Sequence, residues 1–507
     1  MKRFFTLPLL IAAVFSCTAP QKKAEETTVA AEGYEENWES IKKYEIPEWF
    51  KDAKLGIFIH WGPYAVPASV SEWYPRLMYQ DQVQVNPKGD TTKTEPTQVY
   101  LDHVKKYGPL DEFGYKDFIP DFTGENFNAE EWTDIFIKAG AKYVVPVAEH
   151  HDSFAMYNSK ITKWNSVNMG PKKDILGELA EAGRAKGLKI GASSHFAFNW
   201  DYFNKTGDAV NPEYSDFYGR IHEPYAPADE EFLELWWART KDIIDNYQPD
   251  ILWFDFVIDR PEYKPYHPKL GAYYYNKGLE WGKEVVLQNK NFHGFESFPP
   301  GTNVYDLERG KMADIRKEAW QTDTSIGKNS WGYVTDWITK TPNTIVDDLI
   351  DIVSKNGCLL LNIGPKADGT IPEDQKEVLM QLGGWLEVNG EAIYGTRYWN
   401  TFGEGPTEVA TGHHTEGKNK ELTGEDFRFT QKDGVVYAIA MDWPEKPEAV
   451  VKALGSKTEF NDKKIKAVSL LGNDVELTWE QTEDKLTINM PVEKVGDYAF
   501  TFKVEFE

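Results

Sequence analysis

Between about Trp38 and Tyr394 the chain alternates short apolar runs with stretches of helical period. The runs are 54-KLGIFIHWG-62, 142-KYVVPVAEH-150, 189-KIGASSHF-196, 250-DILWFD-255, 284-EVVLQNK-290, 303-NVYDLERG-310, 319-AWQTDTSI-326 and 358-CLLLNIGP-365. Most read as strands buried on both faces. Between several of them lie amphipathic helices, at 129–141, 174–188, 229–247 and 344–357. The third opens on acidic residues, and the fourth is stopped by Gly357, as helix ends prefer. Strands alternating with helices imply a parallel sheet, and eight of them predict a (β/α)8-like TIM barrel. A doubly wound open sheet is the competing arrangement. It would carry a Gly-rich phosphate loop after the first strand, where the chain reads 60-HWGPY-64.

After Tyr394 the period changes to two. Residues 427-FRFTQKDGVVYAIAMDW-443 predict a hairpin turning at Lys-Asp-Gly. Leu486, Ile488 and Met490 alternate with polar residues, as do Tyr498, Phe500 and Phe502. This predicts a C-terminal antiparallel β-sandwich over 396–507, following a barrel over 38–395. The start, 1-MKRFFTLPLLIAAVFSC-17, joins a basic tip, an apolar run too short to span a membrane and a cysteine. It resembles a bacterial lipoprotein signal over 1–17, with Cys17 lipidated and 18–37 a flexible tether. The expectation is an exported lipoprotein of the periplasm, outer membrane or cell surface, touching membrane only through that anchor.

Composition narrows the chemistry. The 507 residues carry a net charge of −25, which argues against nucleic acid or another polyphosphate partner. Two cysteines make no disulfide framework, and Cys358 reads as a small core residue. The 18 Trp suit either a large core or a cleft that stacks on sugar C–H faces.

Reactive residue types gather at the C-terminal strand ends: His60, the group 149-EHHD-152, His195, Asp255 and Glu308. In a parallel barrel those ends converge on the face where sites are built. Three chemistries compete. A metal hydrolase could use the histidines as ligands, but His150 and His151 are neighbours and would point to opposite faces of a strand. A glycoside hydrolase needs two carboxylates, and 251-ILWF-254 delivers Asp255 as a nucleophile with histidines nearby as donors. A non-catalytic glycan-binding lipoprotein explains the aromatics but not the convergent carboxylates.

The motifs 55-LGIFIHWGPYAVP-67, 72-EWY-74, 143-YVVPVAEHHDSFAMY-157, 250-DILWFD-255, 330-SWGY-333 and 353-VSKNGCLLLNIGPKADGTIP-372 occur in this order. Together they resemble glycoside hydrolase family 29, the α-L-fucosidases, over roughly residues 45–395. The resemblance implies a catalytic barrel with a C-terminal β-sandwich, and a retaining mechanism without metal or other cofactor. It implies exo-acting removal of terminal α-L-fucosyl residues from an oligosaccharide or glycoconjugate. The related α-L-galactosides stay open, because they differ only at C6. Asp255 matches the family's nucleophile. His60, His150 and His151 match fucose-hydroxyl binders, and Glu72 and Trp73 a pair lining the pocket. His195 and Trp200 correspond to the pocket wall after the third strand. Trp73, Trp253 or Trp320 would face the fucose methyl group. The family places its acid/base on a variable segment after the nucleophile, which assigns Glu308 in 307-LERG-310. Asp314, Glu318 and Asp323 are the alternatives, and an ion pair with Arg309 or Arg316 is the competing role for Glu308. Ser153 and Phe256 stand where the family commonly has Gly, and 193-SSHFAFNW-200 lacks the acidic residue that often precedes the tryptophan.

Overall fold

Each of the eight apolar runs forms a strand in the computed structural model: β1 Leu55–Ile59, β2 Tyr143–Glu149, β3 Lys189–Ser194, β4 Ile251–Phe254, β5 Val286–Lys290, β6 Val304–Asp306, β7 Trp320–Ser325 and β8 Gly357–Ile363. The structure describes Met1 and residues 33–507 apart from 82–83, 86–90, 94, 204–211, 224–225 and 292–296. The leader and Cys17 lie outside the described residues, as does the tether up to residue 32. All eight strands pair in parallel in chain order, and β1 closes the ring by pairing with both β2 and β8. This is the expected barrel. Nearly every strand side chain is buried, which is why the runs carry no polar alternation.

Helices α1 Ala129–Lys138, α2 Ile175–Ala185, α3 Glu230–Tyr247, α4 Tyr266–Trp281, α5 Pro342–Ser354 and α6 Glu373–Asn389 surround the ring. Their starts follow capping chemistry. The Asn128 side chain accepts from the Glu130 and Glu131 amides at α1, and Asp229 accepts from Phe232 N at α3. Among the described residues no helix separates β5, β6 and β7.

The C-terminal strands are β9 Arg397–Glu404, β10 Phe427–Lys432, β11 Val435–Ala440, β12 Glu448–Val451, β13 Ile465–Leu470, β14 Trp479–Gln481, β15 Leu486–Asn489 and β16 Phe500–Phe506. They form a five-stranded sheet in the order β9-β10-β11-β16-β13 and a three-stranded sheet, β12-β15-β14. All their pairings are antiparallel. The apolar faces enclose a second core built on Phe427, Phe429, Leu486, Ile488, Phe500 and Phe502. Tyr437, Ile439, Met441 and Ala499 belong instead to the barrel's own core. Cys358 is buried against the Phe50 carbonyl at 3.5 Å, and burial pushes its thiol up to about 11. It is a core residue, as its sequence context predicts.

Candidate active site

The C-terminal strand ends meet around a cavity of about 390 Å3. It is lined by His60, Glu72, Trp73, His150, His151, His195, Asp255, Phe256, Lys290, Glu308, Trp331 and His414. All of these but His414 come from the barrel's strand ends and the loops that follow them; His414 comes from beyond β9.

Asp255 sits at the centre, one residue past β4. Its Oδ2 accepts from His195 Nδ1 at 3.0 Å and lies 3.3 Å from His151 Nε2. Its Oδ1 lies 3.2 Å from Lys290 Nζ but without hydrogen-bond geometry, so that oxygen has no hydrogen-bond partner among the described residues. Burial alone would raise this carboxyl. The Lys290 ammonium, then His195 and His151, overcome it and hold Asp255 well below the usual carboxylate range.

Lys290 ends β5 and is almost fully buried. Its Nζ also lies 3.0 Å from Glu308 Oε2 and 2.9 Å from Asp323 Oδ2. Burial opposes its charge, but the Asp255, Asp323 and Glu308 carboxylates raise it well above the ordinary lysine value. The legs of 3.2 Å and 3.0 Å from one nitrogen cap the distance between the facing Asp255 and Glu308 oxygens at about 6.2 Å. Thus Glu308 pairs with Lys290. Arg309 turns away to Glu416 at 2.6 Å, and Arg316 lies 3.9 Å from Glu318. Of the alternative acids, Asp314 is exposed and accepts from its neighbour Ile315 N. Glu318 does not line the cavity. Asp323 is buried on β7 beneath Lys290, and burial and then Asp306 raise its carboxyl well above the usual range.

The histidines have distinct settings. His60 Nδ1 bonds Asn362 Oδ1 at 2.8 Å on β8, and His60 N donates to the same oxygen. His195 uses both nitrogens, on Asp255 and on Ser193 Oγ at 3.1 Å. His151 Nδ1 reaches the His195 carbonyl at 2.7 Å. His150 Nδ1 is buried with no partner among the described residues. Burial, then the neighbouring imidazoles, holds His60 and His150 well below the ordinary imidazole range. Burial also brings His195 down to about 4, against the pull of Asp255. Neutral rings can both donate to and accept from hydroxyls.

The two acids of 149-EHHD-152 do not line the cavity. Glu149 faces outward, bonding Arg239 Nε and Ser194 Oγ, each at 2.8 Å. Asp152 accepts from Tyr115 Oη at 2.6 Å and from Phe154 N at 3.1 Å, while burial pushes its carboxyl up to about 6. Both brace the histidine pair. Glu72 reaches the cavity but also accepts from Trp331 N at 3.0 Å and Gly332 N at 3.3 Å, fixing the 330-SWGY-333 loop.

Three aromatic assignments are corrected. Trp253 points into the barrel one layer below Asp255, covered by Phe58 and His195 with ring centroids 5.0 Å away in each case. Its indole donates to Asp306 Oδ2 at 3.0 Å. Trp320 opens β7 at the opposite end of the barrel and donates to the Lys355 carbonyl at 2.8 Å. Trp200 stacks on His222 at 3.9 Å and donates to the Ala226 carbonyl, outside the cavity. The aromatic wall is Trp73, Phe256 and Trp331, with Trp73 and Phe256 stacked at 6.5 Å. Sequence reasoning missed Lys290, Trp331, Phe256 as a wall residue, and His414. Lys290 carried the same strand-end signal as His60; His414 carried none.

Two groups, His60–His150–His195 and His151–His195–Asp255, bring metal-capable atoms within 4.8 Å of one another. Both need His195, whose ring nitrogens are already committed. The Lys290 ammonium beside Asp255 would also repel a cation. These residues fit a metal poorly and a polyhydroxylated ligand well.

Comparison with known proteins gives a consistent picture. The sequence profile of the family described as Alpha-L-fucosidase matches residues 21–391, and that of its C-terminal domain matches 419–505. The tissue alpha-L-fucosidase of Rattus norvegicus is 31% identical over 507 residues, covering 99% of this chain and 95% of the relative. The plasma alpha-L-fucosidase of Homo sapiens is 32% identical, covering 91% and 89%. The Thermotoga maritima alpha-fucosidase solved in complex with fucose is 29% identical, with a TM-score of 0.71 over 93% of this chain and all of that one. With two carboxylates under a histidine-rich barrel mouth and matches along nearly the whole chain, the protein belongs to the α-L-fucosidase family of glycoside hydrolases.

Proposed function

We propose that the protein is an exo-acting retaining α-L-fucosidase with Asp255 as nucleophile and Glu308 as acid/base. One observation carries this reading: a single ammonium holds the two carboxylates with their facing oxygens no more than about 6.2 Å apart. Retaining pairs stand ~5–5.5 Å apart, whereas inverting pairs need ~6.5–9.5 Å to admit a water. Asp255 Oδ1, the oxygen without a hydrogen bond, attacks the anomeric carbon as the glycosidic bond breaks. Glu308 gives its proton to the leaving oxygen. Its carboxylate then takes a proton from water, whose oxygen displaces Asp255 from the anomeric carbon. Two inversions give net retention.

Fucose as the bound sugar is supported by the family and by the fucose complex of the Thermotoga maritima relative. The neutral His60 and His150 suit its ring hydroxyls. The wall of Trp73, Phe256 and Trp331 suits its C6 methyl better than the hydroxymethyl of an α-L-galactoside. Cys17 is further proposed to carry a lipid anchor after export, on the strength of 14-VFSC-17. Metabolic labelling with palmitate, lost in Cys17→Ser, tests that part.

The activity test is hydrolysis of 2-chloro-4-nitrophenyl α-L-fucoside, with NMR of the first-formed fucose. The expected result is the α anomer from the wild type and near-complete loss of turnover in Asp255→Gly. First appearance of the β anomer, or undiminished activity in Asp255→Gly, would overturn the mechanism.

A further inference from the structure

A segment from the C-terminal part of the chain, residues 412–416 between β9 and β10, lies along the loop that carries Glu308. Gly412 N donates to the Lys311 carbonyl at 3.0 Å, His414 N to the Glu308 carbonyl at 2.9 Å, and Thr415 N to the Arg309 carbonyl at 3.0 Å. Lys311 and Gly412 form an antiparallel bridge. The approach is so close that a Cβ on Gly310 would fall 2.0 Å from the Gly412 carbonyl oxygen. Glu416 closes the far end, paired with Arg309 at 2.6 Å and Lys340 at 2.7 Å. Each residue of Glu308-Arg309-Gly310 thus has a use: one faces the cavity, one holds Glu416, and one admits the neighbouring backbone.

Two histidines of this segment sit on either side of Glu308. His413 Nδ1 accepts from the Glu308 backbone amide at 3.1 Å, and its Nε2 bonds Tyr305 Oη at 2.8 Å. Accepting at Nδ1 places the ring proton on Nε2, so the clamp requires the neutral ring. Burial lowers the basicity of His413 and favours that form. His414 lines the cavity, with Nε2 3.9 Å from Glu308 Oε2 and a side chain 54% exposed. It is therefore on the outer side of the carboxyl, where the leaving group departs.

We infer that residues 412–416 complete the active site from the C-terminal part of the chain, with His413 a positioning residue for Glu308 and His414 a contact for the leaving group. This rests on the reading of Glu308 as acid/base. A positioned acid contributes about 10²–10⁴-fold, and only where the leaving oxygen needs a proton. Misplacing it should therefore cost most with poor leaving groups.

The test compares kcat/KM for a fucosyl disaccharide and for 2-chloro-4-nitrophenyl α-L-fucoside, in the full-length protein. His413→Ala is expected to lose about 10–100-fold on the disaccharide and under about 3-fold on the activated aryl fucoside. His413→Asn, whose side-chain oxygen can accept from the Glu308 amide, is expected to recover most of that loss. His414→Ala, at a half-exposed position, is expected to raise KM for the disaccharide alone. Equal loss on both substrates, or no loss on either, would overturn the inference, as would an unchanged disaccharide KM in His414→Ala. Glu308→Ala separates the two layers. If it lacks the leaving-group dependence, the Glu308 assignment fails; if it shows the dependence and His413→Ala does not, only the positioning role fails.

Discussion

Lys290 is the residue on which the site's charges balance. Three acidic side chains, Asp255, Glu308 and Asp323, point at one buried ammonium between 2.9 and 3.2 Å away. Its removal leaves Asp255 with only the neighbouring imidazoles, and the charged form of Asp255 loses its strongest support. The carboxyl of Asp255 then rises toward the ordinary range. Below its pKa Asp255 is protonated and, as the proposed nucleophile, inert, so Lys290→Met should move the acid limb of the kcat/KM profile to higher pH. An acid limb that stays in place would show that Lys290 does not set the charge of Asp255. In the sequence, the rule that strand ends carry chemistry located His60, His150, His151, His195, Asp255 and Glu308 in the lining. Lys290 obeys the same rule, but lysine is usually read as a solvated side chain. The tryptophans failed for a different reason. Trp253 shares its inward direction with Asp255, two residues on, yet lies one layer deeper, and period-two parity says nothing of depth. Trp320 begins its strand rather than ending it, while Trp331 sits in a loop where no period applies.

At the level of elements, the barrel strands were legible because burial on both faces forces continuous apolar runs. The weakest of them shows the limit. The run 303–310 yields only Val304–Asp306 as strand, and beyond Leu307 the carbonyls of Glu308, Arg309 and Lys311 meet the backbone of 412–416. A long-range contact of about 100 residues leaves no local trace. Helix α4, rich in Tyr and Gly, has too little apolar stripe to stand out from its surroundings. The hairpin was the clearest local signal. Lys432 pairs with Val435 across Asp433 and Gly434, which have φ of 51° and 82°. That turn requires left-handed backbone at both central positions. Nothing lies within 4 Å of a Cβ built on Gly434, so only backbone strain opposes a larger residue. Gly434→Ala should therefore cost about 1–2 kcal/mol in urea unfolding and leave kcat unchanged. A cost near zero would mean that the turn relaxes to another conformation.

Across the whole molecule, the barrel and the C-terminal sheets are joined by charge as well as by apolar surface. Asp351 on α5 receives Arg428 Nε from β10 at 2.6 Å and Lys355 Nζ at 2.7 Å. All three side chains are almost completely buried. Burial opposes the Asp351 charge, but Arg428, Lys355 and Lys311 together hold its carboxyl far below the usual range. None of this pairing was visible in the sequence, where Asp351 reads as a polar position on an amphipathic helix. Replacing Asp351 with Asn strands two cations in the joint. Removing one partner from a buried pair costs about 3–5 kcal/mol, which should appear in thermal or urea unfolding of Asp351→Asn. The sign of its pH dependence follows from the depressed carboxyl. The unfolded Asp takes up a proton near pH ~3.9 while the folded one stays charged, so its stabilisation is present above that pH and is lost as pH falls. The variant has no such proton to take up. The gap between wild type and Asp351→Asn should accordingly be widest near neutral pH and narrow below about pH 4. A gap that persists unchanged into acid would assign the loss to packing rather than to charge. Because residues 412–416 reach the Glu308 loop from the sheets that Arg428 anchors, a weakened joint should lower activity on unactivated fucosides before it unfolds the chain.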